Sequence, residues 1–211
     1  MSRAKKPKGF VGRFLARGMA LGHISFYKNA AKALNLQPDD KLLEIGFGSG
    51  LFIKTYASHV SRIAGLDYSE DMVNLASSIN KELIKLGKAE FKQGDVSTLP
   101  WRDNEFSAVV GIETFFFWPK PEAGLEEIFR VLAPEGKLVL EMAYNKDDGK
   151  DHTKDRKKFD FTLYGGEEMR TLLKQSGFRD ISIKYYKSMW IPFKGYIVPK
   201  GMVVNAKKPK N

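Results

Sequence analysis

Leu42-Leu43-Glu44-Ile45-Gly46-Phe47-Gly48-Ser49-Gly50 is the stretch on which this chain turns: an apolar segment carrying one acidic residue runs straight into a turn with three glycines. Glycines at alternate positions allow backbone dihedrals closed to other residues and leave no side chain between peptide and ligand, so a nucleoside can lie against the turn. The helix expected next offers free N–H groups at its start. About twenty residues on, the spacing used by nucleotide-binding βαβ units, a second apolar segment Ile63-Ala64-Gly65-Leu66 ends in Asp67, a carboxylate placed to accept both ribose hydroxyls.

The surroundings of the turn narrow the ligand. Leu51 stands where a dinucleotide fingerprint needs Gly or Ala for close helix packing, which argues against NAD or FAD. No Gly-Lys-Ser/Thr follows, so there is no phosphate-cradling P-loop. Glu44, two residues before the first glycine, would repel a pyrophosphate and attract a cationic amino group. A ligand with a ribose and an ammonium fits both acids.

On these residues the chain resembles the class I S-adenosylmethionine-dependent methyltransferases, and the likeness runs over most of its length. Glu44 to Gly50 matches the first motif of that family, Asp67 its ribose acid, Gly94-Asp95-Val96 its adenine-flanking segment, and Arg130-Val131-Leu132-Ala133-Pro134-Glu135-Gly136 the turn before strand five. Met19-Ala20-Leu21-Gly22-His23 and Glu113-Thr114-Phe115-Phe116-Phe117-Trp118-Pro119 look like the methyltransferase type 11/25 subgroup of ubiquinone/menaquinone-type and small-molecule enzymes. Three positions depart from the pattern: Phe47 replaces a common Cys, Ser107 an Asp that often begins strand four, and Ala20 the usual Asn. Phe47 must either pack under the adjacent helix or project toward the ligand.

The resemblance implies a Rossmann-like, doubly wound α/β fold: a mostly parallel seven-stranded sheet with an antiparallel C-terminal hairpin edge and an N-terminal helical lid. It implies S-adenosylmethionine as cofactor, with S-adenosylhomocysteine as product. Gly46, Gly48 and Gly50 would approach the methionine part, Glu44 would reach its amino group through water, Asp67 would hold the ribose, and Asp95 with Val96 would flank adenine. Tyr68 or Met72 would pack on the adenine face. Glu113, just past strand four, joins this cofactor-binding set.

Methyl transfer from a sulfonium needs little beyond in-line alignment, and a base only when the acceptor carries a proton. His23 is the leading candidate for that base, because imidazole titrates near working pH; its other reading is a lid histidine that orients the cofactor carboxylate. Tyr27, one turn later on the same helical face, has the same two readings. Phe117 and Trp118 follow strand four, where the acceptor should sit, and an aromatic wall there suits an apolar or cationic small molecule. At least half of the rings from Phe115 to Trp118 are expected in the core. His152 reads as a solvated loop residue and His59 as a surface residue ending a helix.

Composition agrees with one domain over residues 1–211: a lid over 1–36, a cofactor-binding core over 37–144, and an insertion, last helix and C-terminal strands over 145–211. With 43% hydrophobic and 12% aromatic residues the chain can close a core, and no apolar run is long enough to span a bilayer. The N-terminus lacks the apolar stretch of a signal peptide, and the absence of cysteine excludes disulfides and thiolate sites. A cytoplasmic location is the expectation. Much of the net charge of +10 lies in Ser2-Arg3-Ala4-Lys5-Lys6-Pro7-Lys8 and Ala206-Lys207-Lys208-Pro209-Lys210, which read as solvated tails rather than a nucleic-acid groove. Nothing in the sequence sets an oligomeric state.

Alternating patterns predict strands at Lys41–Ile45, Arg62–Leu66, Glu90–Gln93, Phe106–Ile112, Lys137–Met142, Ile181–Lys187 and Tyr196–Ala206. Helices are expected over Gly9 to Leu34, Gly50 to His59, from an N-cap at Ser69 to Leu86, Pro121 to Leu132 and Gly166 to Gln175, with a polar insertion at Asn145–Lys158.

Other chemistries lack their residues. Ile112-Glu113-Thr114-Phe115 is not the Asn/Asp-Pro-Pro-Tyr turn of enzymes acting on exocyclic base amines. Thiol routes to C5-pyrimidine or arsenic methylation need cysteine. No His/Asp/Glu cluster has metal-ligand spacing, so no metal is expected. A small-molecule methyltransferase is the leading expectation; methylation of RNA or protein, and a non-catalytic cofactor-binding regulator on the same fold, are its competitors.

Overall fold

A computed structural model describes residues 24–191 and 196–210. His23 and most of the expected lid lie outside the described residues. Within them no helix is long and apolar enough to cross a membrane.

Helix α1 (Ile24–Leu34) turns Phe26, Ala30 and Leu34, one turn apart, onto the sheet with Tyr27 beside them. Strand β1 (Lys41–Ile45) leads through the glycine turn into α2 (Leu51–Tyr56), which tightens into a 3₁₀ turn at Ala57–His59. Then come β2 (Arg62–Asp67), α3 (Glu70–Ile79), α4 (Lys81–Lys85), β3 (Ala89–Gln93), β4 (Phe106–Ile112), α5 (Pro121–Val131) and β5 (Leu132–Met142). Helices α6 (Thr153–Phe159) and α7 (Gly166–Gln175) precede β6 (Arg179–Ile191) and β7 (Tyr196–Lys207).

The sheet has seven strands in the order β3-β2-β1-β4-β5-β7-β6. All pairings from β3 to β5 are parallel; β7 runs antiparallel to both β5 and β6. The expected Rossmann-like architecture with its antiparallel edge is therefore present. Strand alternation sorts the core into two layers. Leu43, Ile45, Val109, Leu138 and Leu140 face α5 and α7, while Leu42, Ala108, Val110 and Val139 face α1, α2 and α3. The reversal of strand order between β1 and β4 opens the crevice at their carboxyl ends.

The structure corrects two local expectations and adds detail to a third. The single helix expected from Ser69 to Leu86 breaks at Asn80, because the buried Asn80 amide donates to the carbonyls of Gly50, 3.2 Å away, and Ala76, 2.9 Å away. That break ties the end of α3 to the glycine turn. The polar insertion carries structure, a 3₁₀ turn at Lys146–Asp148 followed by α6. His152 is not solvated: it is 7% exposed, its Nε2 lies 2.7 Å from Asp148 Oδ2, and its ring meets Tyr144 edge-on.

The motif at Arg130 acts as a staple. Its guanidinium donates to both oxygens of Glu127 at 2.8 Å, to Asp103 at 2.8 Å, and to the carbonyls of Trp101 and Leu99 at 2.9 Å, fixing the loop before β4 to α5.

Candidate active site

The three turn glycines all have left-handed backbone, φ +72° at Gly46, +54° at Gly48 and +72° at Gly50, but their surroundings differ. A Cβ on Gly46 would collide with the Thr114 side chain, and one on Gly50 would come within 2.7 Å of the Ala76 Cβ. A Cβ on Gly48 would meet nothing within 4 Å. Gly46 and Gly50 thus seat the turn against β4 and α3, and Gly48 presents bare backbone outward.

Asp67, at the end of β2, locks this conformation. Its Oδ2 accepts from the Gly48 amide at 2.8 Å and its Oδ1 from the Ser69 amide at 2.9 Å. Burial pushes its carboxyl up to about 6, against the lowering effect of the Ser69 and Gly48 bonds. Each oxygen keeps a second lone pair for a ligand hydroxyl. Tyr68 next to it is 42% exposed, whereas Met72 is 1% exposed in the core layer behind the turn, so Tyr68 is the one that presents a face to a ligand.

Glu44 lies under the turn at 2% exposure, and its Oε2 has no hydrogen-bond partner. Burial, and then the neighbouring Asp67 charge, hold its carboxyl well above the usual carboxylate range. A buried acid with an unsatisfied oxygen gains most from a cationic donor. Tyr27 is brought to the same place: burial and the Glu44 charge push its hydroxyl upward, and its ring packs edge-on against Phe52 at 5.6 Å. Tyr27 is therefore held protonated, a hydrogen-bonding group at this end of α1. Asp95 accepts from the amide and hydroxyl of Ser97, at 2.9 and 2.7 Å, which shapes the loop after β3 and leaves Val96 buried beside Gly124.

Phe47 settles its own question. It is 3% exposed, packs edge-on to Phe91 at 5.0 Å, and lies over Gly65, where a Cβ would come within 2.5 Å of its ring. It points into the core and away from the ligand face. Of the aromatic run, Phe115, Phe116 and Trp118 are buried and Phe117 is half-buried, with the Trp118 Nε1 donating to Thr114 Oγ1 at 3.3 Å.

Beyond β4, beside the expected Glu113, the structure adds Glu141 and Tyr186, which the sequence reading passed over. Glu113 has φ +56°, a conformation that costs a non-glycine residue about 1–2 kcal/mol, with its amide bonded to the Glu141 carbonyl at 2.9 Å. Its Oε1 accepts from the Ala143 amide. Glu141, fully buried in β5, accepts from the Tyr186 hydroxyl through Oε1, and its Oε2 is unpartnered. Tyr186 lies across Gly201, where any Cβ would strike its ring. The signal for Glu141 was a single acid within an apolar strand, the same signal that exposed Glu44.

The sequence profile described as a methyltransferase domain matches residues 43–140. An uncharacterized methyltransferase, YdaC, of Bacillus subtilis (strain 168) is 26% identical over 154 residues, 72% of this chain and 78% of that one. A demethylmenaquinone methyltransferase of Oceanobacillus iheyensis is 28% identical over 123 residues, 56% of this chain and only 50% of the relative. Among solved structures, the complex between the Haloferax volcanii Trm112 methyltransferase activator and a methyltransferase matches with a TM-score of 0.80 at 20% identity, over 94% of this chain and 95% of that one. Residues 43–140 carry a methyltransferase domain, and the relatives and the fold support a class I methyltransferase. The matched range runs from β1 into β5 and so contains the glycine turn after β1 and the acid ending β2.

Proposed function

We propose that the protein is a cytoplasmic S-adenosylmethionine-dependent methyltransferase acting on a small molecule. The observation that carries the reading is Glu44: a carboxylate buried under the glycine turn with one oxygen unsatisfied, next to a glycine whose outward face is bare. These residues fit the cofactor, whose ammonium and ribose match the two acids. Bound there, S-adenosylmethionine supplies a methyl group on a sulfonium sulfur. Glu44 would take the ammonium, assisted by Tyr27; Gly48 would lie against the methionine part; Asp67 would take the ribose hydroxyls. Asp95 and Val96 would flank the adenine, with Tyr68 on its face.

Phe117 and Trp118, past the end of β4, would border the acceptor, with Glu113, expected among the cofactor contacts, between acceptor and cofactor. A small-molecule acceptor is supported by the half-buried aromatic ring of Phe117 at the crevice and by relatives named for small-molecule methylation, the demethylmenaquinone enzyme among them. The activator-bound Haloferax volcanii neighbour supports a second reading, in which turnover requires a protein partner. Calorimetric titration of S-adenosylmethionine and S-adenosylhomocysteine, with NAD as control, tests the proposal. Micromolar binding of the two sulfur nucleosides and none of NAD is expected; binding of NAD alone, or of none, overturns it. Binding without turnover on any acceptor would favour the partner-dependent reading.

A further inference from the structure

Of the carboxylates at the ends of β4 and β5, Glu113 is expected beside the cofactor, whereas Glu141 has no place in the cofactor arrangement. Glu141 sits two strands away from Glu44 on the same face of the sheet, across β4, since Glu44 pairs with Val110 and Glu141 with Ile112. Its neighbours are Glu113, whose backbone is forced into the left-handed region to lie there, and Tyr186, whose ring fills the space that Gly201 leaves. At the strand ends next to this cluster, Glu113, Phe117 and Tyr144 are each half-buried. Tyr144 and Phe117, which follow β5 and β4, both pack on Phe161, at 5.5 and 6.1 Å between ring centroids.

We propose that Glu113, Glu141 and Tyr186 form the subsite for the nitrogen of an amine acceptor, which makes the protein an N-methyltransferase. This rests on the methyltransferase reading of the glycine turn. The argument is electrostatic. Two carboxylates that feel each other's charge inside a protein do not both ionise readily without a cation, and the Glu141 Oε2 lacks any partner that would satisfy it. Burial, and then the Glu113 charge, hold the Glu141 carboxyl far above its usual range, while the Tyr186 bond acts the other way. An ammonium placed between the acids satisfies the oxygen with a charged donor. A metal ion fits less well, because among the described residues no three His, Cys, Asp or Glu side chains gather into a group that could hold one.

The chemistry balances. The acceptor binds as an ammonium and gives one proton to the Glu113–Glu141 pair, which frees the nitrogen lone pair. The nitrogen then forms a bond to the methyl carbon as the carbon–sulfur bond breaks, its electron pair remaining on sulfur as the neutral thioether. The nitrogen becomes a cation again, facing a pair that recovers its favoured charge when the proton leaves to solvent. Glu113 is next in sequence to Thr114, which abuts Gly46, so the subsite adjoins the turn where the methionine part would lie.

The test is a pair of matched probes, 2-phenylethylamine and 2-phenylethanol, titrated calorimetrically into the full-length protein with and without saturating S-adenosylhomocysteine. The expected result is at least tenfold tighter binding of the amine. Glu141→Gln should abolish that preference while leaving the alcohol, and the affinity for S-adenosylhomocysteine, within twofold of wild type. Tyr186→Phe, which removes only the hydroxyl, provides a second variant should Glu141→Gln fail to fold, and should reduce the preference by about threefold. Equal binding of the two probes, no binding of the amine, or an unchanged preference in both variants overturns the proposal. Loss of S-adenosylhomocysteine binding alone would instead overturn the reading of the glycine turn, because the probe preference is also read without the nucleoside.

Discussion

Glu44 and Glu141 are both acids set in apolar strands, buried on the same face of the sheet with one oxygen unpartnered. They differ in what holds the space around them. Beside Glu44 the work is done by backbone: three left-handed glycines, a turn packed on Thr114 and Ala76, and the Gly48 amide bonded to Asp67. Beside Glu141 it is done by side chains gathered from distant positions, Glu113 from the end of β4 and Tyr186 from β6. A site made from backbone tolerates few residues at few positions and suits a ligand of constant shape. One made from side chains can change its chemistry by single substitutions, as an acceptor site must if one fold is to serve many acceptors.

The comparison breaks most visibly at the glycines. Gly46→Val should destabilise the protein by about 2–4 kcal/mol, since left-handed strain is added to a collision with Thr114. Gly48→Val should cost only the backbone strain, about 1–2 kcal/mol, yet abolish nucleoside binding. Chemical denaturation alongside calorimetry separates the two, and equal losses of stability would show that the turn is uniformly structural. Glu44→Gln comes next: nucleoside affinity should fall by about 1.5–3 kcal/mol as a charged hydrogen bond is lost, with folding intact.

Asp67 sharpens the picture through pH. Its carboxyl stands at about 6 in the folded protein against 3.8 in the reference state, so the ligand-free fold loses stability as pH rises between those values. Ribose hydroxyls favour the ionised form. Nucleoside affinity should therefore rise about tenfold per unit of pH below about 6 and level off above it. Asp67→Asn should flatten that profile, and a flat wild-type profile would sink the ribose assignment. The smallest effect is expected at Glu141, whose raised carboxyl makes it a pH-dependent cost. Glu141→Gln should raise stability at pH 8 relative to pH 5 by about 1 kcal/mol in thermal unfolding, the wild type being least disadvantaged at low pH, where Glu141 stays protonated.

Much of the fold was legible because its signals are local. The near-continuous apolar run of β4 and the glycine turn between β1 and α2 each announce themselves within a few residues, and Pro121 marks the start of α5. The break at Asn80 was not, because its cause is the Gly50 carbonyl, thirty residues away in sequence and visible only after folding. His152 was misread for the same reason: a charged loop gives no hint that Asp148 and Tyr144 will enclose it. The candidate site divides likewise. Glycines and the ribose acid occur at fixed spacing, whereas the contact of Glu141 with Tyr186 depends on the register of β7 between β5 and β6.

The seat of Phe47 over Gly65 carries a consequence for how this turn can diversify. The two positions share one volume, so a larger residue at 65 is admissible only when 47 shrinks, and a lone change at either leaves a clash or a void. Positions 47 and 65 should therefore vary as a pair across descendants of this chain, and Phe47→Cys with Gly65→Ala should be better tolerated together than Gly65→Ala alone.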